Sequence, residues 1–142
     1  MKKAPTLNAK TREVMNTMVL AVSRGASGRD IAAHFLASGK SGFPVIEHTR
    51  KLVGVVTELD LLTAMDSGKD LESFTAGDIM TKTPIVVEEE TTLKAVFQMM
   101  KKKNILRVPV VRNGKLVGLV SRSDILRHMI TPKKLICAYG PF

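Results

Sequence analysis

The chain has 142 residues, 44% of them hydrophobic and 4% aromatic, with one cysteine and a formal charge of +9. At this length a core can form without a disulfide or metal staple, and the lone Cys137 excludes an internal disulfide framework and a thiolate zinc cluster, which suits a reducing, cytoplasmic setting. No apolar run reaches the roughly 18 residues of a membrane span, and Met1 to Pro5 lead into polar residues rather than a signal sequence. The charge is uneven: residues 1–100 carry 12 Lys and Arg against 12 Asp and Glu, whereas residues 101–142 carry 10 against Asp124 alone. Such a basic third suits a polyanionic partner or a phosphate ligand, but the scarcity of aromatic rings argues against a platform for single-stranded nucleic acid.

After an N-terminal segment (1–12), Val14-Met15 opens the first predicted body, 13–66. Arg24 to Gly28 reads as a turn, and Ser27 with Asp30 starts a capped helix whose apolar face is Ile31, Phe35 and Leu36. Phe43 to Ile46 and Lys51 to Thr57 read as a strand pair, and Thr57 leads into a second helix. A polar linker (67–77) precedes a second body, 78–129, entered by Ile79-Met80. Ile85-Val86-Val87 is a short β-branched run, and Glu88 to Glu90 form a solvated acidic cap ahead of the next helix. Thr91 or Thr92 caps that helix, with Leu93, Val96, Phe97 and Met100 as one buried stripe and Lys101 to Lys103 at its C-terminus. Arg107 to Val111 and Lys115 to Val120 form a hairpin around Asn113-Gly114, Ser121 to Met129 is a last helix, and 130–142 is a basic tail.

The two bodies repeat one another. Val14-Met15, Asp30 to Phe35 and Phe43 to Ile46 match Ile79-Met80, Ala95 to Met100 and Val108 to Val111 at an offset of 65, and Lys51 to Thr57 and Asp60 match Lys115 to Ser121 and Asp124 at 64. The predicted order is strand, helix, strand, strand, helix, twice: an α+β fold of two βαββα repeats, each with too small a core to stand comfortably alone. The pair is expected to pack about a pseudo-twofold axis.

These features together resemble the cystathionine-β-synthase-type (CBS) domain in the tandem arrangement called a Bateman module. The residues that carry the resemblance are Val14-Met15 and Ile79-Met80, Ser41-Gly42-Phe43-Pro44-Val45 and Leu106-Arg107-Val108-Pro109-Val110, and Gly54 to Asp60 with Gly118 to Asp124. The resemblance implies a stand-alone, non-catalytic regulatory module that requires no cofactor. Its regulatory ligand would be an adenosine compound, AMP, ADP, ATP or S-adenosylmethionine, held between the repeats. It also implies a homodimer that signals to a partner protein. Carried over residue by residue, one ligand cleft takes Leu119, Ser121, Arg122 and Asp124 with Asn16, Leu20, Ala21, Lys40 and Ser41; the other takes Val55, Thr57 and Asp60 with Thr81, Ile85, Val86, Ile105 and Leu106.

In this reading the free N–H groups of each helix start suit a phosphate, the Ser or Thr hydroxyl adds a bond, and the Asp accepts from ribose hydroxyls. Thr57-x-x-Asp60 and Ser121-x-x-Asp124 are equally N-terminal capping patterns, which duplication alone would produce twice. Arg122 against Glu58 at the matched position makes the Asp124 cleft the expected anionic site. His34, His48 and His128 lack metal-ligand spacing, and neither a P-loop nor a G-x-G-x-x-G run is present. The rival readings are a ligand-free interaction scaffold that docks through the basic third, and, on charge alone, a nucleic-acid binder.

Overall fold

Strand and helix alternate as the hydrophobic periodicity requires in the computed structural model, which describes residues 5–130. The elements are β1 (Val22–Ser23), α1 (Gly28–Ser38), β2 (Gly42–Glu47), β3 (Lys51–Thr57) and α2 (Glu58–Asp66), then a short α3 (Ala76–Ile79), then β4 (Val87–Glu88), α4 (Leu93–Lys103), β5 (Arg107–Arg112), β6 (Lys115–Ser121) and α5 (Arg122–Met129). The βαββα order therefore occurs twice, in an α+β fold. No helix among the described residues is long and apolar enough to cross a membrane.

By contacts the described chain divides into two units. The first comprises residues 19–85 and 113–116, and the second comprises 5–18, 86–112 and 117–130. In the first, β1 runs parallel to β2 and β2 antiparallel to β3, with Gly42 opposite Thr57. Its core holds Ile31, Phe35, Phe43, Val45, Val56 and Leu61. In the second, β4 runs parallel to β5 with Val87 opposite Val110, and Leu93, Val96, Met100, Val108, Val110 and Val120 form the core.

The one-residue change of offset lies in the connections between paired strands. Asn113 and Gly114 turn with φ of 52° and 77°, whereas β2 and β3 are joined by a three-residue 3-10 turn, His48–Arg50, with Thr49 and Arg50 at φ of 55° and 65°. A bulge at Val45/Ile46 accommodates the remaining irregularity.

Several local expectations are corrected. The strand at the second repeat's entry is Val87–Glu88, with Ile85 and Val86 ahead of it and each 38% exposed. The α1 stripe is Gly28, Ile31 and Phe35, spaced i, i+3, i+7; Leu36, turned about 100° from Phe35, is 88% exposed. Likewise α4 buries Leu93, Val96 and Met100 but leaves Phe97 39% exposed, with the Lys101 ammonium 5.5 Å from its ring centre. Thr92, not Thr91, caps α4. Pro132 to Tyr139, with Lys133, Lys134 and Cys137, lies outside the described residues.

The leading segments form a second set of matched structures. Residues 10–16 and 75–81 correspond at the offset of 65. The Glu13 carboxylate accepts from the Lys10 N–H as that of Asp78 accepts from Thr75, and Thr11 and Ala76 are both fully buried. Each segment belongs to the unit built on the other repeat's body. Segment 10–16 pairs Lys10 with Thr92, and the Thr11 and Arg12 N–H groups donate to Thr91 and Glu89 carbonyls. Segment 75–81 pairs Thr75 with Ser27, and the Ala76 and Gly77 N–H groups donate to Ala26 and Arg24 carbonyls.

The acidic run Glu88 to Glu90 is therefore more than a solvated cap. Glu90 pairs with Lys10 at 2.6 Å and Arg12 at 3.0 Å, and Glu89 lies 3.5 Å from Arg112.

Candidate functional site

Strand β3 ends at Thr57 and β6 at Ser121, and each strand delivers the chain straight to a helix start. Both starts are complete reciprocal caps. The Thr57 hydroxyl accepts from the Asp60 N–H at 3.1 Å while Asp60 Oδ2 accepts from the Thr57 N–H at 2.8 Å, and Ser121 and Asp124 repeat the arrangement at 3.1 and 2.8 Å. The next amide is occupied as well: Glu58 N–H donates to the Ser41 carbonyl at 3.1 Å and Arg122 N–H to that of Leu106 at 2.9 Å.

The expectation of a row of free helix N–H groups for a phosphate is thus corrected. Three consecutive-turn donors are already satisfied by the protein, and only Leu59 and Ser123 in that turn lack one of these partners. What remains for a ligand is the second oxygen of each aspartate, the Ser or Thr O–H as donor, and the side chains at the first helical position. The two aspartates differ in this respect. Asp124 Oδ1 lies 3.1 Å from an Arg127 guanidinium nitrogen, whereas the residue matching Arg127 is Thr63, whose hydroxyl donates to the Leu59 carbonyl.

The leading segments reach these helix starts through backbone pairing. Asn16 and Leu119 exchange two N–H···O bonds of 2.9 Å each, and Thr81 and Val55 exchange bonds of 2.9 and 3.1 Å. Both pairings depend on a glycine in the partner strand. A Cβ on Gly54 would stand 2.5 Å from the Met80 sulfur and 2.7 Å from the Thr81 carbonyl oxygen; on Gly118 it would stand 2.6 Å from the Met15 sulfur and 3.1 Å from the Asn16 oxygen. The repeated Val-Gly and Val/Ile-Met pairs are thus two halves of one contact.

The structure therefore gathers Asn16, Leu119, Ser121, Arg122, Asp124 and Leu106 in the second unit, and Thr81, Val55, Thr57, Asp60 and Ser41 in the first. Within each repeat the pre-proline segment lies beside the end of its own hairpin partner strand. Ser41, with Lys40 before it, contacts the Thr57–Glu58 junction, and Ile105-Leu106 contacts the Ser121–Arg122 junction: Arg122 Nε donates to the Ile105 carbonyl at 3.0 Å. The reason is register. In an antiparallel pair the start of one strand must lie beside the end of its neighbour, as Gly42 lies opposite Thr57. Leu20 and Ala21 lead into β1, and Ile85 and Val86 into β4; no hydrogen bond ties them to either cap.

Elsewhere in the first unit, Arg24 and Gly25 form the expected turn. With Ser23, Ile46, Glu47, His48 and Thr75 they line a cavity of about 560 Å³ at the far end of β2 from Ser41, where Arg24 pairs with Glu47 at 3.1 Å. Among the described residues no group of three or more His, Cys, Asp or Glu is gathered to hold a metal.

The family model described as CBS domain matches residues 12–67 and 76–131. The chain belongs to the CBS domain family. Among curated relatives of this CBS pair, the chloroplastic CBS domain-containing protein CBSX1 of Arabidopsis thaliana is 33% identical over 123 residues, covering 66% of this chain and 52% of the relative. The chain spans only 26%, 43% and 52% of the length of three such relatives. Among solved structures, CBSX2 in complex with AMP is 29% identical with a TM-score of 0.73, covering 83% of this chain and 93% of that one. The CBS domain pair of protein MJ0100, solved with 5′-methylthioadenosine and S-adenosyl-L-methionine, is 27% identical with a TM-score of 0.70, covering 84% and 98%.

Proposed function

We propose that this CBS pair is a non-catalytic regulatory module that binds adenosine compounds at two sites, one beside Asp60 and one beside Asp124. Ligand occupancy alters how a homodimer presents itself to a partner protein. The observation that carries the reading is the recurrence, in each unit, of a leading segment hydrogen-bonded beside a Ser/Thr-x-x-Asp helix start. The chain's structural neighbours CBSX2 and MJ0100 were crystallised with AMP and with 5′-methylthioadenosine and S-adenosylmethionine. The aspartate's second oxygen suits ribose hydroxyls, and the backbone of the paired leading segment suits a base edge. Self-association is supported by matched apolar side chains left exposed on α2 and α5: Leu62 and Leu126, Met65 and Met129. Light scattering with and without ligand measures that assembly.

Calorimetric titration with AMP, 5′-methylthioadenosine and S-adenosylmethionine, together with thermal melting, tests the reading. At least one compound should bind saturably and raise the melting temperature as mass action requires. Failure of the whole panel to bind would overturn it. A second reading, docking on an acidic protein, is favoured by Lys102, Lys103 and Arg107, which are exposed and form no ion pair among the described residues. Binding of that kind would weaken steeply with salt.

A further inference from the structure

The two helix starts share a backbone but carry opposite charge. In the second unit Arg122 occupies the first position of α5, and its guanidinium is held in place by the Ile105 carbonyl at 3.0 Å and the Asn104 side chain at 3.5 Å. Arg127 lies against Asp124 at 3.1 Å, so this helix start carries two cations and one carboxylate. In the first unit the position of Arg122 is Glu58, exposed and without an ion pair among the described residues, and the position of Arg127 is the neutral Thr63. Asp60, like Glu58, forms no ion pair among the described residues.

Because the first-turn amides are largely satisfied by caps and carbonyls, these side chains decide what charge each site tolerates. Resting on the adenosine reading above, we infer that the two sites divide their ligands by charge. The Asp124 site takes an adenosine 5′-phosphate, and the Asp60 site takes an adenosine compound without phosphate, neutral or cationic at its 5′ end. The pair would thereby compare two ligand populations that differ in charge.

The test exchanges the two charges and titrates AMP and 5′-methylthioadenosine by calorimetry at low and moderate salt. Both substituted side chains are exposed at a helix start, and a melting curve of each variant confirms its fold. R122E should weaken AMP by roughly tenfold or more, with the loss shrinking as salt rises. E58R should add a second equivalent of AMP. AMP affinity indifferent to R122E, or AMP stoichiometry indifferent to E58R, would overturn the division by charge while leaving adenosine binding intact. Failure of the unaltered protein to bind AMP, 5′-methylthioadenosine and S-adenosylmethionine alike would instead overturn the adenosine reading, and this inference with it.

Discussion

Gly54 and Gly118 have φ values open to any residue, so their identity is set by what lies above them. At both positions a methionine of the leading segment comes closer than a Cβ permits, and a backbone carbonyl of that segment lies close by. The two sites differ in what can yield. At Gly118 the closest atom is a flexible methionine sulfur and the carbonyl is 3.1 Å away, whereas at Gly54 the carbonyl itself is at 2.7 Å. Gly54→Ala should therefore cost about 1–3 kcal/mol and Gly118→Ala less, as read from urea midpoints. Equal costs would show that methionine rather than backbone sets the limit. At this scale the sequence was legible where a residue repeats: the glycines, the methionines and the Ser/Thr-x-x-Asp boxes are all visible as pairs. It was less legible where burial depends on about 100° of helix rotation, which is why Leu36 and Phe97 read as core and stand exposed.

At the scale of elements, the acidic run before α4 owes its role to segment 10–16. The Lys10 ammonium, donating to the Glu90 carboxylate, holds that acid below its ordinary value of 4.5, with Arg12 adding to the effect. A carboxylate lowered on folding binds more protons when unfolded, so its stabilising contribution is complete above about pH 4.5 and disappears as pH falls through the lowered folded value. Glu90→Gln should thus flatten the acid limb of the stability curve while changing the limb above pH 7 little. Denaturation midpoints followed from pH 3 to 7 check this, and parallel acid limbs for both proteins would count against the pairing. Sequence alone could not assign this role: three consecutive glutamates before a helix satisfy the dipole rule on their own, and Lys10, which pairs with Glu90, lies 80 residues away in the chain.

For the whole molecule, the repeat and its element order were readable because hydrophobic spacing survives duplication. The ownership of the leading segments was less so, since pairing within one's own body or with the other leaves the same local pattern. The family resemblance placed Asn16 with Leu119 and Thr81 with Val55, which pair through their backbones, and antiparallel register sets each pre-proline segment beside the end of its own partner strand. Because Leu7 and Ala9 pack on the second unit's core and Thr11 is fully buried there, removing residues 1–13 should lower the melting temperature by several degrees. It should also weaken the Asp124 site. A truncated chain that melts like the full one would mean that this segment is dispensable.

The crossed leading segments have a consequence for any severed version of the polypeptide. A break anywhere in 68–74 yields two fragments, each carrying the short piece that completes its sibling's body and missing the piece that completes its own. Mixed together, such fragments should reassemble by mutual donation, while either one alone has an open seam.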